Sequence, residues 1–110
     1  MDGTKAVEWH LISTVSEITP SEPKQVAIND LELSVHNVGG AFFAIGDICT
    51  HAFARLSFGL ISDSVITCPL HQAKFDIRSG KVLEGPADED LDSYPVKVEG
   101  EKLYVGVPDR

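Results

Sequence analysis

The sequence predicts an all-β fold, a small antiparallel sandwich or barrel. Three observations carry that expectation. Short runs that alternate apolar and polar residues recur, as in Leu31–His36 and Lys102–Val107. Gly, Pro, Asn and Asp punctuate them at regular spacing. No segment sustains an apolar period of 3.6 residues.

The elements follow in order. Ala6–Ile12 and Lys24–Ile28 read as strands, with Pro20 and Pro23 bracketing a surface loop between them. Asn29-Asp30 is a turn signal before the strand Leu31–His36, and Asn37–Gly40 turns again. Ala41–Ile45 is an apolar strand. Val65–Thr67 and Lys74–Ile77 are short strands, and Ser79-Gly80 is a turn. Val96–Glu99 and Lys102–Val107 flank Gly100-Glu101 as a hairpin, with Val96, Val98, Leu103, Val105 and Val107 on the buried faces. Short turns at Thr14–Ile18 and around Leu91 are the helical candidates. Trp9, Phe42, Phe43 and Phe75 are expected in the core, and Gly59 and Gly80 at turns.

The 110 residues make one domain, 1–110. No apolar run approaches the roughly 18 residues of a membrane span, and the first residues lack the apolar core of a signal peptide. The expected location is the cytoplasm, where thiols stay reduced and bind metal more readily than they pair. The 9 basic and 17 acidic residues leave a net charge of −8. That disfavours nucleic acid and anionic membrane as partners, and it suits solubility and docking to a basic protein surface. Five of the acids, Glu84, Asp88, Glu89, Asp90 and Asp92, crowd into residues 84–92. They form either a solvated loop or an acidic rim beside a functional site.

Two pairs stand out chemically: Cys49-Thr-His51 and Cys68-Pro-Leu-His71. They use both cysteines and two of the four histidines. Cysteine binds metal as thiolate and histidine as neutral imidazole. A tetrahedral zinc site accepts two of each. Zinc fingers, however, place both cysteines first and carry the histidines on a helix. The interleaved order here instead suits two facing hairpin loops, each offering one thiolate and one imidazole. His10 and His36 fall on predicted strands away from these pairs. Arg55 could meet a local carboxylate or a partner.

At these residues the chain resembles the Rieske-type ferredoxins, whose motif is Cys-x-His…Cys-x-x-His. The likeness runs through Cys49–Gly59 (CTHAFARLSFG), Cys68–Gly80 (CPLHQAKFDIRSG) and the closing strands (YPVKVEGEKLYVGV). It resembles in particular the ferredoxin components of bacterial aromatic ring-hydroxylating dioxygenase systems. The resemblance implies a Rieske fold with a small cluster-binding subdomain of two hairpin loops, at about residues 46–86. It implies one [2Fe–2S] cluster held by Cys49, His51, Cys68 and His71, with both thiolates on one iron and both imidazoles on the other. Such an oxidised site is close to neutral, whereas a four-cysteine site would stand at about −2, so histidine ligation raises the potential. The imidazoles would lie at the protein tip, where the electron leaves. Gly85-Pro86 aligns with the family's third covering loop, or is an ordinary turn.

High-potential relatives carry a Ser two residues after the last His ligand and a Tyr four after it, both donating hydrogen bonds toward sulfur. They also carry a further cysteine in each loop, paired as a disulfide. Here the positions hold Ala73 and Phe75, which cannot donate from their side chains, and no cysteine is to spare. The expected potential is therefore below zero, in a family range of roughly −150 to +300 mV.

No Gly-rich dinucleotide fingerprint is present; for a catalytic metal with two His and one carboxylate only His10 and His36 would remain, and the chain is far shorter than the catalytic subunits of Rieske oxygenases. The expected role is not enzymatic. It is a monomeric one-electron carrier between an NAD(P)H-dependent flavin reductase and a terminal aromatic-ring oxygenase. The alternatives are a small subunit of a larger reductase, such as a nitrite reductase, and a zinc-binding structural module.

Overall fold

A computed structural model describes residues 7–49, 54–69, 72–85 and 89–108. Its eleven strands are β1 (Val7–Thr14), β2 (Lys24–Ile28), β3 (Leu31–Val38), β4 (Ala41–Gly46), β5 (Leu60–Ser62), β6 (Val65–Thr67), β7 (Lys74–Asp76), β8 (Val82–Glu84), β9 (Ser93–Tyr94), β10 (Val96–Glu99) and β11 (Lys102–Pro108). Two single-turn 3-10 helices complete it, Val15–Glu17 and Leu56–Phe58. Every strand pairing is antiparallel, in three sheets ordered β1-β11-β10, β2-β3-β4-β9 and β5-β6-β7-β8.

The core divides in two, and β4 belongs to both parts. Ala44 joins Ile18, Ile28, Leu33, Val35, Leu103, Val105 and Val107 in a cluster fed by the first two sheets. Its neighbour Ile45 points the other way, because successive strand residues face opposite sides. Ile45 joins Leu56, Ile66, Phe75, Ile77 and Leu91 in the second cluster, which also contains Cys49 and Cys68. Phe75 is the largest fully buried side chain there. Burying a side chain of this kind contributes roughly 1.5–3 kcal/mol.

The all-β expectation holds, with local corrections. The short strands β5, β8 and β9 were not legible, being two or three residues long. The turn at Thr14–Ile18 is present as a 3-10 helix, but the chain around Leu91 is not helical. There the Leu91 amide donates to the Gly80 carbonyl at 2.7 Å, which draws the segment onto the Ser79-Gly80 turn.

Trp9 is not core. It pairs with Gly106 across β1 and β11, while Leu103, Val105 and Val107 set the inward face of β11. That register turns Trp9 outward, where it is 38% exposed beneath the Lys97 ammonium, 4.7 Å from its ring centroid. Val98 shares the face of Leu103 but is exposed, because β10 is an edge strand. Phe42 and Phe43 are half-buried against the two clusters.

Candidate metal centre

Cys49 and Cys68 sit at the starts of two loops built on one frame. Ile48 and Arg55 form an isolated antiparallel bridge, and inside it the Cys49 amide donates to the Ala54 carbonyl at 2.9 Å. Thr67 and Lys74 pair in the same way at the ends of β6 and β7. Inside that pair the Cys68 amide donates to the Ala73 carbonyl at 2.8 Å. Each cysteine thus bonds to the residue five positions on, and each loop leaves and rejoins the fold through paired neighbours.

The second loop is tightened once more by the Gln72 amide, which donates to the Cys68 carbonyl at 3.1 Å. Gln72 adopts a left-handed backbone, φ 62°. That conformation is uncommon outside glycine and asparagine and is held here by the turn it closes.

Neither cysteine is in a disulfide, both are buried, and both belong to one hydrophobic cluster. Thiolates in such surroundings need a compensating cation. This donor chemistry fits a soft metal or an iron–sulfur centre. His51, His71 and Pro86 lie outside the described residues, as does Asp88. Among the described residues no three potential ligands converge.

A residue that the motif does not announce anchors the first loop. Asp47, two positions before Cys49, is fully buried. Its carboxylate accepts from the Ser57 amide at 2.8 Å, from the Ser57 hydroxyl at 2.9 Å and from the Arg55 guanidinium at 3.4 Å. Its carbonyl accepts from the Leu56 amide at 2.7 Å. Arg55 also meets Glu32 at 2.8 Å, so its partners are local carboxylates. An acidic residue just before the first half-site, followed by Arg and Ser at its far end, was the available signal.

Beside this loop lies an open groove of about 610 Å³. Asp30, Glu32, Glu89, Asp90 and Asp92 line it above Leu91. Glu89, Asp90 and Asp92 of the acidic segment thus rim a groove beside this loop, joined by two acids from the β2–β3 region, while Glu84 lies apart in β8. Asp90 has a structural duty too, accepting from the Val82 amide at 2.8 Å.

The other histidines stand apart in the strands. His10 is partly exposed and bonds to Glu8 at 3.0 Å. His36 is buried in β3 and bonds through Nε2 to the Ser34 hydroxyl at 2.8 Å, while its Nδ1 has no partner. Burial holds its pKa down at about 4. Ala73 and Phe75, on and beside the second loop, are both fully buried and bring no side-chain donor to Cys68.

Known proteins share this arrangement. Residues 8–95 match the model of the Rieske [2Fe–2S] domain. The anthranilate 1,2-dioxygenase ferredoxin subunit of Burkholderia cepacia is 35% identical over 91% of this chain and 93% of its own length. The naphthalene 1,2-dioxygenase ferredoxin component of Pseudomonas putida is 34% identical over 90% and 95%. Among solved structures, the ferredoxin of carbazole 1,9a-dioxygenase from Nocardioides aromaticivorans IC177 superposes with a TM-score of 0.85. It is 30% identical over 92% of this chain and 98% of that one. A nitrite reductase small subunit from Mycobacterium tuberculosis shares the fold at a TM-score of 0.84 with only 18% identity. The chain therefore belongs to the Rieske [2Fe–2S] domain family, and its cofactor is a [2Fe–2S] cluster of the Rieske type.

Proposed function

We propose that this chain is a soluble, monomeric one-electron carrier of the cytoplasm, serving an aromatic-ring hydroxylating oxygenase. It would take its electron from an NAD(P)H-dependent flavin reductase. The observation that carries this reading is the matched pair of backbone bonds at two buried cysteines outside any disulfide, in a chain like the ferredoxin components of dioxygenase systems over nearly its whole length. No helix among the described residues is long and apolar enough to cross a membrane.

Residues about 46–86 form the cluster-binding part. Cys49 and Cys68 would hold one iron, and His51 and His71 the other. The bound cluster accepts and releases a single electron. The chain contributes position, dryness and charge. The Cys49–Ala54 and Cys68–Ala73 bonds pin each thiolate-bearing backbone at the base of its own loop. Leu56, Ile66, Phe75 and Leu91 keep water from the sulfur side. The acidic groove steers a basic partner at long range and favours release once the electron has passed. The small-subunit alternative has behind it a likeness of fold alone.

Purified protein tests the reading. Visible absorption and an anisotropic EPR signal after dithionite reduction are expected, both lost in Cys68→Ser and His71→Ala. Reduction by a flavin reductase and reoxidation by a terminal oxygenase should then support product formation. A colourless, zinc-containing protein would overturn the assignment. A stable large complex on size-exclusion chromatography from the native source would favour the subunit alternative.

A further inference from the structure

Phe58 and Leu60 are 72% and 79% exposed, more than any other large hydrophobic side chain among the described residues. They stand two residues apart and are rigidly presented. Between them, Gly59 packs so closely on the Thr67 carbonyl that a Cβ would sit 1.9 Å from its oxygen. Before them, Leu56 is fully buried, and the Ser57 hydroxyl donates to Asp47 and accepts from the Gln25 side-chain amide at 2.7 Å. This is not a loop that turned outward for lack of contacts. Its neighbours are fixed, and the two apolar side chains are held out.

Phe58 and Leu60 form one wall of a groove of about 360 Å³. With Gly59 between them, the other lining residues are Thr67, Cys68, Pro69, Gln72 and Lys74, so the opposite wall is built from the base of the Cys68 loop. The register sets the rim. Leu60, Thr67, Lys74 and Glu84 pair in one row across β5, β6, β7 and β8. The row runs from apolar through hydroxyl to a Lys and a Glu that form no ion pair with each other within 4 Å. An apolar centre with a polar, near-neutral edge is the make-up of a protein contact. It differs in kind from the acidic groove beside the Cys49 loop.

Resting on the carrier reading, we infer that the Phe58–Leu60 groove is an apolar anchor site for the terminal oxygenase, which inserts an apolar side chain against the Cys68 loop. Two observations select this occupant. The groove is continuous with a cluster-bearing loop, where a short electron path requires contact. Further, a ferredoxin 31% identical to this chain, covered over 99% of its length, has been solved in complex with the oxygenase of carbazole 1,9a-dioxygenase. A charge-steered partner already has its own surface in the acidic groove.

The test uses the full-length protein carrying its cluster, with the reductase and oxygenase that reconstitute turnover. Phe58→Ser, Leu60→Ser and the double variant remove only exposed side chains. The expected result is a rise of tenfold or more in the KM of the oxygenase for the double variant. That rise should persist at 0.5 M salt, with absorption, EPR and reduction by the reductase unchanged. An oxygenase KM within twofold of wild type overturns the inference while leaving the carrier reading intact. So does an equal loss toward the reductase, or a wild-type dimer that becomes monomeric on substitution. Failure of the wild-type chain to reduce any oxygenase overturns the carrier reading itself, and this inference with it.

Discussion

The amide of Cys68 donates to the carbonyl of Ala73 at 2.8 Å, and Ala73 is wholly buried. The bond fixes the loop through backbone atoms, and the Ala73 side chain adds no donor near sulfur. Phe75, two residues on, is equally buried and equally silent. Hydrogen bonds toward sulfur stabilise the reduced, more negative state. Without a side-chain donor at these two positions, the expected potential lies below zero. Phe75→Tyr should raise it. One net hydrogen bond is worth about 1–1.5 kcal/mol, or roughly 40–60 mV for one electron. Potentiometric titration followed by EPR measures both values, and a clearly positive wild-type midpoint would contradict the argument.

Asp47 should be indispensable to the first loop. Asp47→Ala strands the Ser57 amide and hydroxyl and releases Arg55 to Glu32 alone. A loss of roughly 2–4 kcal/mol is expected from removing a buried, multiply bonded carboxylate. Faster bleaching of visible absorption in urea would report it. Ser57→Ala should cost less, since the Asp47 carboxylate keeps the Ser57 amide.

Stability should fall with acid through His36. Its folded pKa of about 4 lies below the ordinary 6.5 because burial disfavours the charged ring. The unfolded chain therefore binds the extra proton first. The contribution is complete above pH 6.5 and is lost as pH falls from there to about 4. The total is about 3 kcal/mol. Thermal unfolding followed by circular dichroism across that window should show the slope, and His36→Gln should flatten it.

Gly59 is a steric necessity rather than a flexible point. Its backbone is ordinary, but the Thr67 carbonyl occupies the space of a side chain. Gly59→Ala must push β6 or the Leu56–Phe58 turn aside. About 1–3 kcal/mol of destabilisation is expected, roughly 5–15 °C in Tm. Gly46→Ala is the control, since nothing lies within 4 Å of a Cβ there.

Steering by the acidic groove should appear in the salt dependence. Reductase turnover is expected to fall as ionic strength rises, because charges more than about 8–10 Å apart are screened near 0.1 M salt. Replacing Glu89 and Asp92 with Gln and Asn should weaken the dependence. Rates that ignore salt would remove the groove from the reductase encounter.

The sequence by itself determined the chemistry and most of the strands. Two Cys-x-His and Cys-x-x-His pairs are local patterns, and donor type and spacing survive without any tertiary knowledge. So do the hairpins at Leu31–Val38 and Ala41–Gly46 and at Val96–Glu99 and Lys102–Pro108, where alternation and turn residues agree. Only the tertiary structure decided which faces turn inward and which distant groups meet. Trp9 points out because its register against Gly106 is set by the core face of β11, not by its own hydrophobicity. Asp47 is a buried anchor because Arg55 and Ser57 return to it across a loop. Asp30 and Glu32 join the acids of residues 89–92 in one groove, though about 60 residues separate them. Phe58 and Leu60 are exposed on a turn whose Leu56 is buried and whose Gly59 packs on the Thr67 carbonyl. Local periodicity carries strand and turn. Burial depends on cross-strand register and on contacts between residues far apart in the chain, which one sequence does not encode in any short window.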